Sequence, residues 1–322
     1  MREEEITNRA ERVIEAAIEE NGFCQGKYIL VTPCKNEGTN LPNLIRSLTL
    51  QTRKPVLWVI VDDGSTDRTP EIIEEAVERQ NWIKGIRLDS NNRDLGLNLT
   101  QVVKRGFEFA IEYCKNNGID YKYLGNVDGD ITLEHTFFEN IIKEFENDPK
   151  LGIASGGTNH IVGDRVIHAK LREEEPSGGH MVIRRECFED CGGIPLAYPW
   201  DCVLKAKARL CGWRTRRFET AIATEIRDVS SAEGYWKGFM HNGRSDYYLG
   251  YHPIHVLIKS ILFCKRPWYG GIAYLSGYLN SVIRKANRIE DEEVRIYFRT
   301  KWQRIYKQWL FQRRRGSTNE TI

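Results

Sequence analysis

Two carboxylates separated by one glycine, Asp128-Gly129-Asp130, are the residues of this chain best suited to grip a hard cation. Oxygens at i and i+2, with glycine permitting a tight bend, can converge on one Mg²⁺ or Mn²⁺, and such an ion neutralises a departing diphosphate. A second acidic cluster, Val61-Asp62-Asp63-Gly64-Ser65-Thr66-Asp67, follows directly on an apolar run. A carboxylate there can accept the imide or amino hydrogen of a nucleobase; the competing reading is a turn with helix-capping Asp and Ser. Asp201, in Tyr198-Pro199-Trp200-Asp201-Cys202, can take a proton from a hydroxyl, or cap the helix that follows it. His241-Asn242-Gly243-Arg244-Ser245-Asp246 is polar and glycine-bearing, so His241 or Arg244 can close over a diphosphate, and a solvated loop explains the segment equally well. Cys187, Cys191, Cys202 and Cys211 can be drawn as a zinc site, but their spacing fits no compact finger.

These residues need elements to position them. From Lys27 to about Gly156, short apolar runs (Tyr28–Val31, Val56–Val61, Gly85–Leu88, Tyr121–Val127) alternate with helical periodicity, the pattern of an α/β fold with a mostly parallel sheet flanked by helices. Asn40 is placed to cap a helix carrying Leu44, Ile45 and Leu48, and Thr69-Pro70 reads as a cap followed by proline in the first turn. In such sheets ligands gather beyond the carboxyl ends of the strands, so the loops after residues 31, 61 and 127 are expected to meet at one crevice. Strands are expected at Arg165–Leu171 and Met181–Arg184 and a helix at Cys202–Leu210.

The bulk properties set limits. The chain has 322 residues, 41% hydrophobic and 29% charged, with a net charge of +2, too small for a general nucleic-acid binder. Eight cysteines without a secretory leader point to reduced thiols and a cytoplasmic setting. The apolar stretches Ile254–Phe263 and Ile272–Ile283 are too interrupted to span a bilayer. The tail from Arg284 to Gly316 interleaves Lys and Arg with Tyr297, Phe298, Trp302, Tyr306, Trp309 and Phe311. With Tyr251–Ile283 it suggests peripheral contact with the anionic cytoplasmic membrane face. The expected organisation is an amphipathic leader helix over 1–26, one domain over 27–235 in two halves (27–156 and 157–235) and a helical, basic and aromatic region over 236–322.

Several ordered motifs resemble glycosyltransferase family 2: Leu30-Val31-Thr32-Pro33-Cys34-Lys35-Asn36-Glu37, Gln51-Thr52, Val59 to Asp67, and Asp128-Gly129-Asp130. The resemblance covers about residues 27–225 and implies a GT-A fold over 27–235, with 27–156 as its nucleotide-sugar half and 157–235 as its acceptor half, a nucleotide-diphospho-sugar donor, Mg²⁺ or Mn²⁺, and a glycan or lipid-linked acceptor. It implies that Thr32, Pro33 and Glu37 line the nucleoside, that Asp63 reads the base and that Arg93 touches the nucleotide. Asp128 then lies near ribose and metal, Asp130 binds the metal directly, and Asp201 is the general base of an inverting transfer. His180, in the stretch similar to the family's acceptor loop, and Trp200, where relatives carry an acid, join His241 and Arg244 as diphosphate or acceptor contacts. Lys35 departs from the pattern, standing where many relatives place a tyrosine that stacks on the base.

Three rival readings can be set against this one. Asp128-Gly129-Asp130-Ile131-Thr132 also resembles the nucleophile loop of haloacid-dehalogenase-type phosphatases, but that reading leaves Val59–Asp67 unexplained. A non-catalytic membrane adaptor, working through the basic aromatic tail, would need neither Asp130 nor Asp201. A sugar-1-phosphate nucleotidyltransferase would need a glycine-rich loop after Val31, and none is there.

Overall fold

A computed structural model describes residues 26–89, 97–162, 165–169, 172–226, 234–265 and 267–304. The chain divides into two compact units, Met1–Leu196 with Ala208–Ile226, and Ala197–Lys207 with Arg227–Ile322. The leader as far as residue 25 and the tail beyond Arg304 lie outside the described residues.

The first unit is built on one mixed sheet. Strands β1 (Tyr28–Cys34), β2 (Leu57–Asp62), β3 (Ile83–Arg87) and β4 (Tyr123–Val127) run parallel in the order β3-β2-β1-β4. β1 and β2 are buried along their whole length, which explains why they read as continuous apolar runs rather than alternating ones. Between and after them lie α1 (Leu41–Thr49), α2 (Thr69–Arg79), α3 (Leu97–Asn116) and α4 (Phe137–Asn147). Leu41, Leu44 and Leu48 of α1 enter the core with Phe137, Phe138, Ile141 and Ile142 of α4; burying each such side chain contributes about 1.5–3 kcal/mol. α3 crosses β1 and β2 at Gly106, where any Cβ would meet Val31 and Val61.

The sheet continues past β4 through strands of mixed direction. β8 (His180–Arg184) is antiparallel to β4, β6 (Leu151–Val162) is antiparallel to β8, β9 (Arg214–Glu225) is parallel to β6, and β5 (Ile131–Leu133) closes the far edge against β9. A short β7 (Arg165–His168) pairs with β6, and α5 (Arg185–Asp190) follows β8. Gln51 and Thr52 prove to be ties between elements: Gln51 Nε2 donates to the Glu134 carbonyl at 2.8 Å and Thr52 Oγ1 donates to Glu139 at 2.6 Å.

Two expected caps differ in detail. Asn40 makes no side-chain cap for α1; its Nδ2 donates to Glu37 Oε2 at 2.8 Å, so the amide is committed to the loop before the helix. At α2 the N-cap position is Arg68, which makes no side-chain cap; Asp67 just before it accepts from Thr69 N and Thr69 Oγ1 through Oδ1, and Thr69 sits in the first turn with Pro70. Burial alone would raise the Asp67 pKa, but hydrogen bonds from Thr69 and Gly38 outweigh it and hold the carboxyl below its usual value.

The second unit is helical: the start of α6 (Trp200–Leu210), α7 (Tyr235–Tyr248), α8 (Pro253–Phe263), α9 (Gly270–Ile283) and α10 (Glu292–Arg299). Ala197, Val203 and Ala206 share a core with Tyr247, Tyr251, Val256, Tyr274, Tyr278 and Phe298. That core draws residues 197–207 into this unit, whereas the sequence reading placed all of 157–235 with the acceptor half. The segment holding His241 and Arg244 is part of α7 and not a loop.

Candidate active site

The parallel registers bring Cys34 beside Asp62 and Val31 beside Asn126, so the loops after β1, β2 and β4 open at one end of the sheet, as α/β topology requires. The first two loops are laced together. Asn36 N donates to Ser65 Oγ at 2.9 Å, Glu37 N to Thr69 Oγ1 at 2.8 Å, Gly38 N to Asp67 Oδ2 at 2.9 Å, and Thr66 N to Asn36 Oδ1 at 2.9 Å. Asn36 reaches a left-handed φ of 56°, which asparagine tolerates better than most residues, to make this lacing possible.

Asp63 sits inside this lacework at 6% exposure. Its Oδ2 accepts from Lys35 Nζ at 3.2 Å and from Asn98 Nδ2 at 2.9 Å, while its Oδ1 is buried with no hydrogen-bond partner. A buried carboxylate oxygen in that state is an acceptor awaiting a donor. Asn98 was missed by sequence reading, because an asparagine opening a helix carries no mark of a partner 35 residues earlier.

The Asp128-Gly129-Asp130 turn is fixed by its neighbours. Asp128 N donates to the Gly179 carbonyl at 2.8 Å and Ile226 N donates to the Asp130 carbonyl at 3.2 Å. Asn126 Nδ2 donates to Asp128 Oδ1 at 3.1 Å and to the Gly178 carbonyl at 3.0 Å. Strand alternation, which puts 126 and 128 on one face, was the available signal for Asn126. A Cβ on Gly129 would meet Glu37 at 3.0 Å, and one on Gly179 would meet Asp128 Oδ2 at 3.1 Å, so glycine at both places keeps backbone and carboxylates close. Asp128 and Asp130 supply hard oxygen donors of the kind that suits Mg²⁺ or Mn²⁺, which take one or two carboxylates and complete their shell with phosphate oxygens and water. Among the described residues no group of three or more His, Cys, Asp or Glu side chains is arranged to hold a metal.

The remaining expected residues sit in varied settings. Thr32 is fully buried in β1, its hydroxyl accepting from Trp58 Nε1 at 3.0 Å, and Pro33 is buried beside it. Glu37 is buried at the turn, with Oε2 held by Asn40. His180 is fully buried edge-on to Phe137, with Nε2 at 3.2 Å from the Gly156 carbonyl, so the ring points into the core. A carbonyl can only accept, so that nitrogen carries the proton; burial lowers the imidazole pKa to about 4 and keeps it neutral. Arg93 lies outside the described residues. In the second unit Trp200 is buried at the start of α6, and Asp201 Oδ2 accepts from Lys205 Nζ at 2.9 Å. His241 packs edge-on against Tyr198 with ring centroids 4.5 Å apart, and Arg244 is exposed.

With that geometry in hand, the comparisons with known proteins fall into place. Residues 29–195, 167 of the chain's 322, match the family described as "Glycosyl transferase family 2". The chain belongs to glycosyltransferase family 2. A dolichyl-phosphate beta-glucosyltransferase of Dictyostelium discoideum is 27% identical over 175 residues, 50% of this chain and 49% of that protein. An uncharacterised protein of Methanocaldococcus jannaschii is 28% identical over 119 residues, 37% of this chain and 47% of the other. The chain thus spans about half the length of the curated relatives it matches. Among solved structures, a mannosyltransferase from Pyrobaculum calidifontis in complex with GDP-Man and Mn²⁺ superposes with a TM-score of 0.52 at 14% identity, covering 82% of this chain and 76% of that one. GalNAc-T7 with UDP, GalNAc and Mn²⁺ gives 0.51 at 13% identity, covering 81% and 55%. The fold is that of the GT-A glycosyltransferases. Family membership removes the footing of the haloacid-dehalogenase-type reading, which cannot account for the paired loops after β1 and β2.

Proposed function

We propose that the chain transfers a sugar from a nucleoside-diphosphate donor to an acceptor hydroxyl, with inversion at the sugar carbon. The observation that carries this reading is Asp63, a buried carboxylate with one oxygen engaged and the other unpartnered, in a loop laced to Glu37 beside the Asp128-Gly129-Asp130 turn. One available acceptor suits the single ring N–H of uracil or thymine better than the paired donors on guanine's edge.

Each residue has a definable task. Asp63 holds the base, with Lys35 and Asn98 fixing its orientation. Glu37, tied to Asn40 and to Thr69 through its backbone, forms part of the nucleoside wall. Asp130, with Asp128 steadied by Asn126, holds the Mg²⁺ or Mn²⁺; when bound, that ion neutralises the charge that develops on the departing diphosphate. Asp201 takes the acceptor hydroxyl's proton, its carboxylate kept in place on α6 by Lys205. The similarity to the Dictyostelium dolichyl-phosphate beta-glucosyltransferase favours a lipid-linked acceptor met at a membrane surface, and the work would then be glycolipid or glycan assembly.

Calorimetry tests the donor half directly. UDP, dTDP and GDP titrated with and without Mn²⁺ are expected to show metal-dependent binding of a uracil or thymine nucleotide. Asp130→Ala should weaken it roughly tenfold or more, since losing even an outer-shell partner of a metal ligand typically costs about 10–100-fold. Absence of binding by any nucleotide to the native chain would overturn the reading.

A further inference from the structure

Helix α8 is turned the wrong way round for a helix surrounded by water. Ile254, Leu257, Ile258, Ile261 and Leu262 recur at the spacing of a core stripe, yet all five face outward, with Ile261 71% exposed. Its inner face carries a charge instead: Lys259 Nζ reaches Asp246 Oδ2 at 2.5 Å, and the Tyr274 hydroxyl donates to the same oxygen at 2.5 Å. α9 repeats the arrangement, with Ile272, Leu279, Val282 and Ile283 exposed, the last at 79%. Half of the exposed large apolar side chains among the described residues lie between Ile254 and Ile283, so this is a concentrated face and not the scatter of single residues found on any soluble surface.

The charge pattern says what covers it. From residue 247 to 289 the sequence has no Asp or Glu, while Lys259, Lys265, Arg266, Arg284, Lys285 and Arg288 are all there. Lys265 lies in the α8–α9 turn, and Arg284, Lys285 and Arg288 follow α9; all four are exposed. Trp268, 73% exposed, stands in the same turn against Tyr269, which also packs on Trp236 of α7. An apolar stripe edged by basic residues and by tryptophan matches the boundary between acyl chains and anionic headgroups. The helices pack through glycine: a Cβ on Gly243 would strike the Tyr274 carbonyl, on Gly271 the Ser260 carbonyl, and on Gly277 the Met240 carbonyl. Such backbone-close packing is the habit of helices that cannot draw on water exclusion between them. At 11 and 14 residues α8 and α9 are too short to cross a bilayer, and a tip carrying Lys265 would resist entering its centre.

We propose that α8, α9 and their connecting turn form a docking surface that lies flat in the interface of an anionic bilayer. The surface belongs to the second unit alone and stands whichever nucleotide or sugar the first unit takes.

The full chain should float with vesicles of phosphatidylcholine plus phosphatidylglycerol, much less with phosphatidylcholine alone, and less again in high salt. Ile258→Glu with Ile261→Glu should cut vesicle binding roughly tenfold or more while leaving nucleotide binding unchanged. In the native chain brominated lipid should quench a share of the fluorescence that disappears in Trp268→Phe, a readout that survives if the glutamate variant fails to fold. Absence of binding to the anionic vesicles overturns the proposal. So does a native chain that self-associates through this face, monomeric in the glutamate variant, or one that binds vesicles only after residues 1–22 are removed, for the face would then belong to a second copy or to the chain's own leader.

Discussion

Asp201 illustrates how much depends on one side chain whose neighbours are modest. Its Oδ2 is held by Lys205, and if it is the base of the transfer then Asp201→Asn keeps the size and the helix but loses the ability to accept a proton. Turnover is expected to fall by about 10²–10⁴, with the nucleotide's Kd unchanged by calorimetry. A variant that turns over at the native rate would remove Asp201 from the chemistry. Asp63 and Asp130 were visible in the sequence because an acidic cluster placed directly after a buried apolar run is unusual. Asn98 and Lys35 were not visible as partners of Asp63, since a hydrogen bond between residues far apart in the chain leaves no spacing to read. Thr32 shows the reverse: a residue in a recognisable motif whose hydroxyl serves Trp58 inside the sheet.

At the scale of elements, the crossing of α3 over β1 and β2 is set by one position. Gly106→Leu would drive a side chain into Val31 and Val61, and the overpacking should destabilise the chain by about 1–3 kcal/mol. Urea unfolding measures this as a drop in midpoint; a variant as stable as the native chain would mean that α3 can lift off the strands. The parallel half of the sheet was legible because β1 and β2 are buried on both faces. The second half was hidden for separate reasons. β6 spends its apolar residues sparingly, in Ser155-Gly156-Gly157-Thr158-Asn159, and β9 opens with Arg214, Arg216 and Arg217, of which Arg217 is buried against the Ala169 carbonyl. The segment from His241 to Asp246 could equally be read as a solvated loop because it is polar and carries Gly243; in α7 that glycine is needed for the approach to Tyr274. The periodicity of α8 was plain, but periodicity states that one face is apolar and not which medium that face meets.

Across the whole molecule, two histidines tie stability to pH. Burial holds the His180 pKa at about 4, and burial together with Lys259 holds His255 at about 4. An unfolded histidine titrates near 6.5, so between about pH 6.5 and 4 the unfolded chain binds protons that the folded chain refuses, and stability falls as pH falls through that window. For the fully buried His180 the loss is about 2 kcal/mol by pH 5, at 1.36 kcal/mol per pH unit. Thermal melts at pH 7 and pH 5 should show the decline, and His180→Phe should flatten it; an unchanged slope would mean that other groups govern the acid limb. The way the Asp128-Gly129-Asp130 turn is fixed has a consequence for the order of events on the ribosome. Its two clamps, the Gly179 carbonyl and the Ile226 amide, lie about 50 and 100 residues downstream. The strands β1 to β4 can assemble early in synthesis, but the carboxylates cannot be set until β9 has been made and has emerged. A nascent chain would therefore carry the laced Asp63 loop well before the Asp128-Gly129-Asp130 turn is held in place.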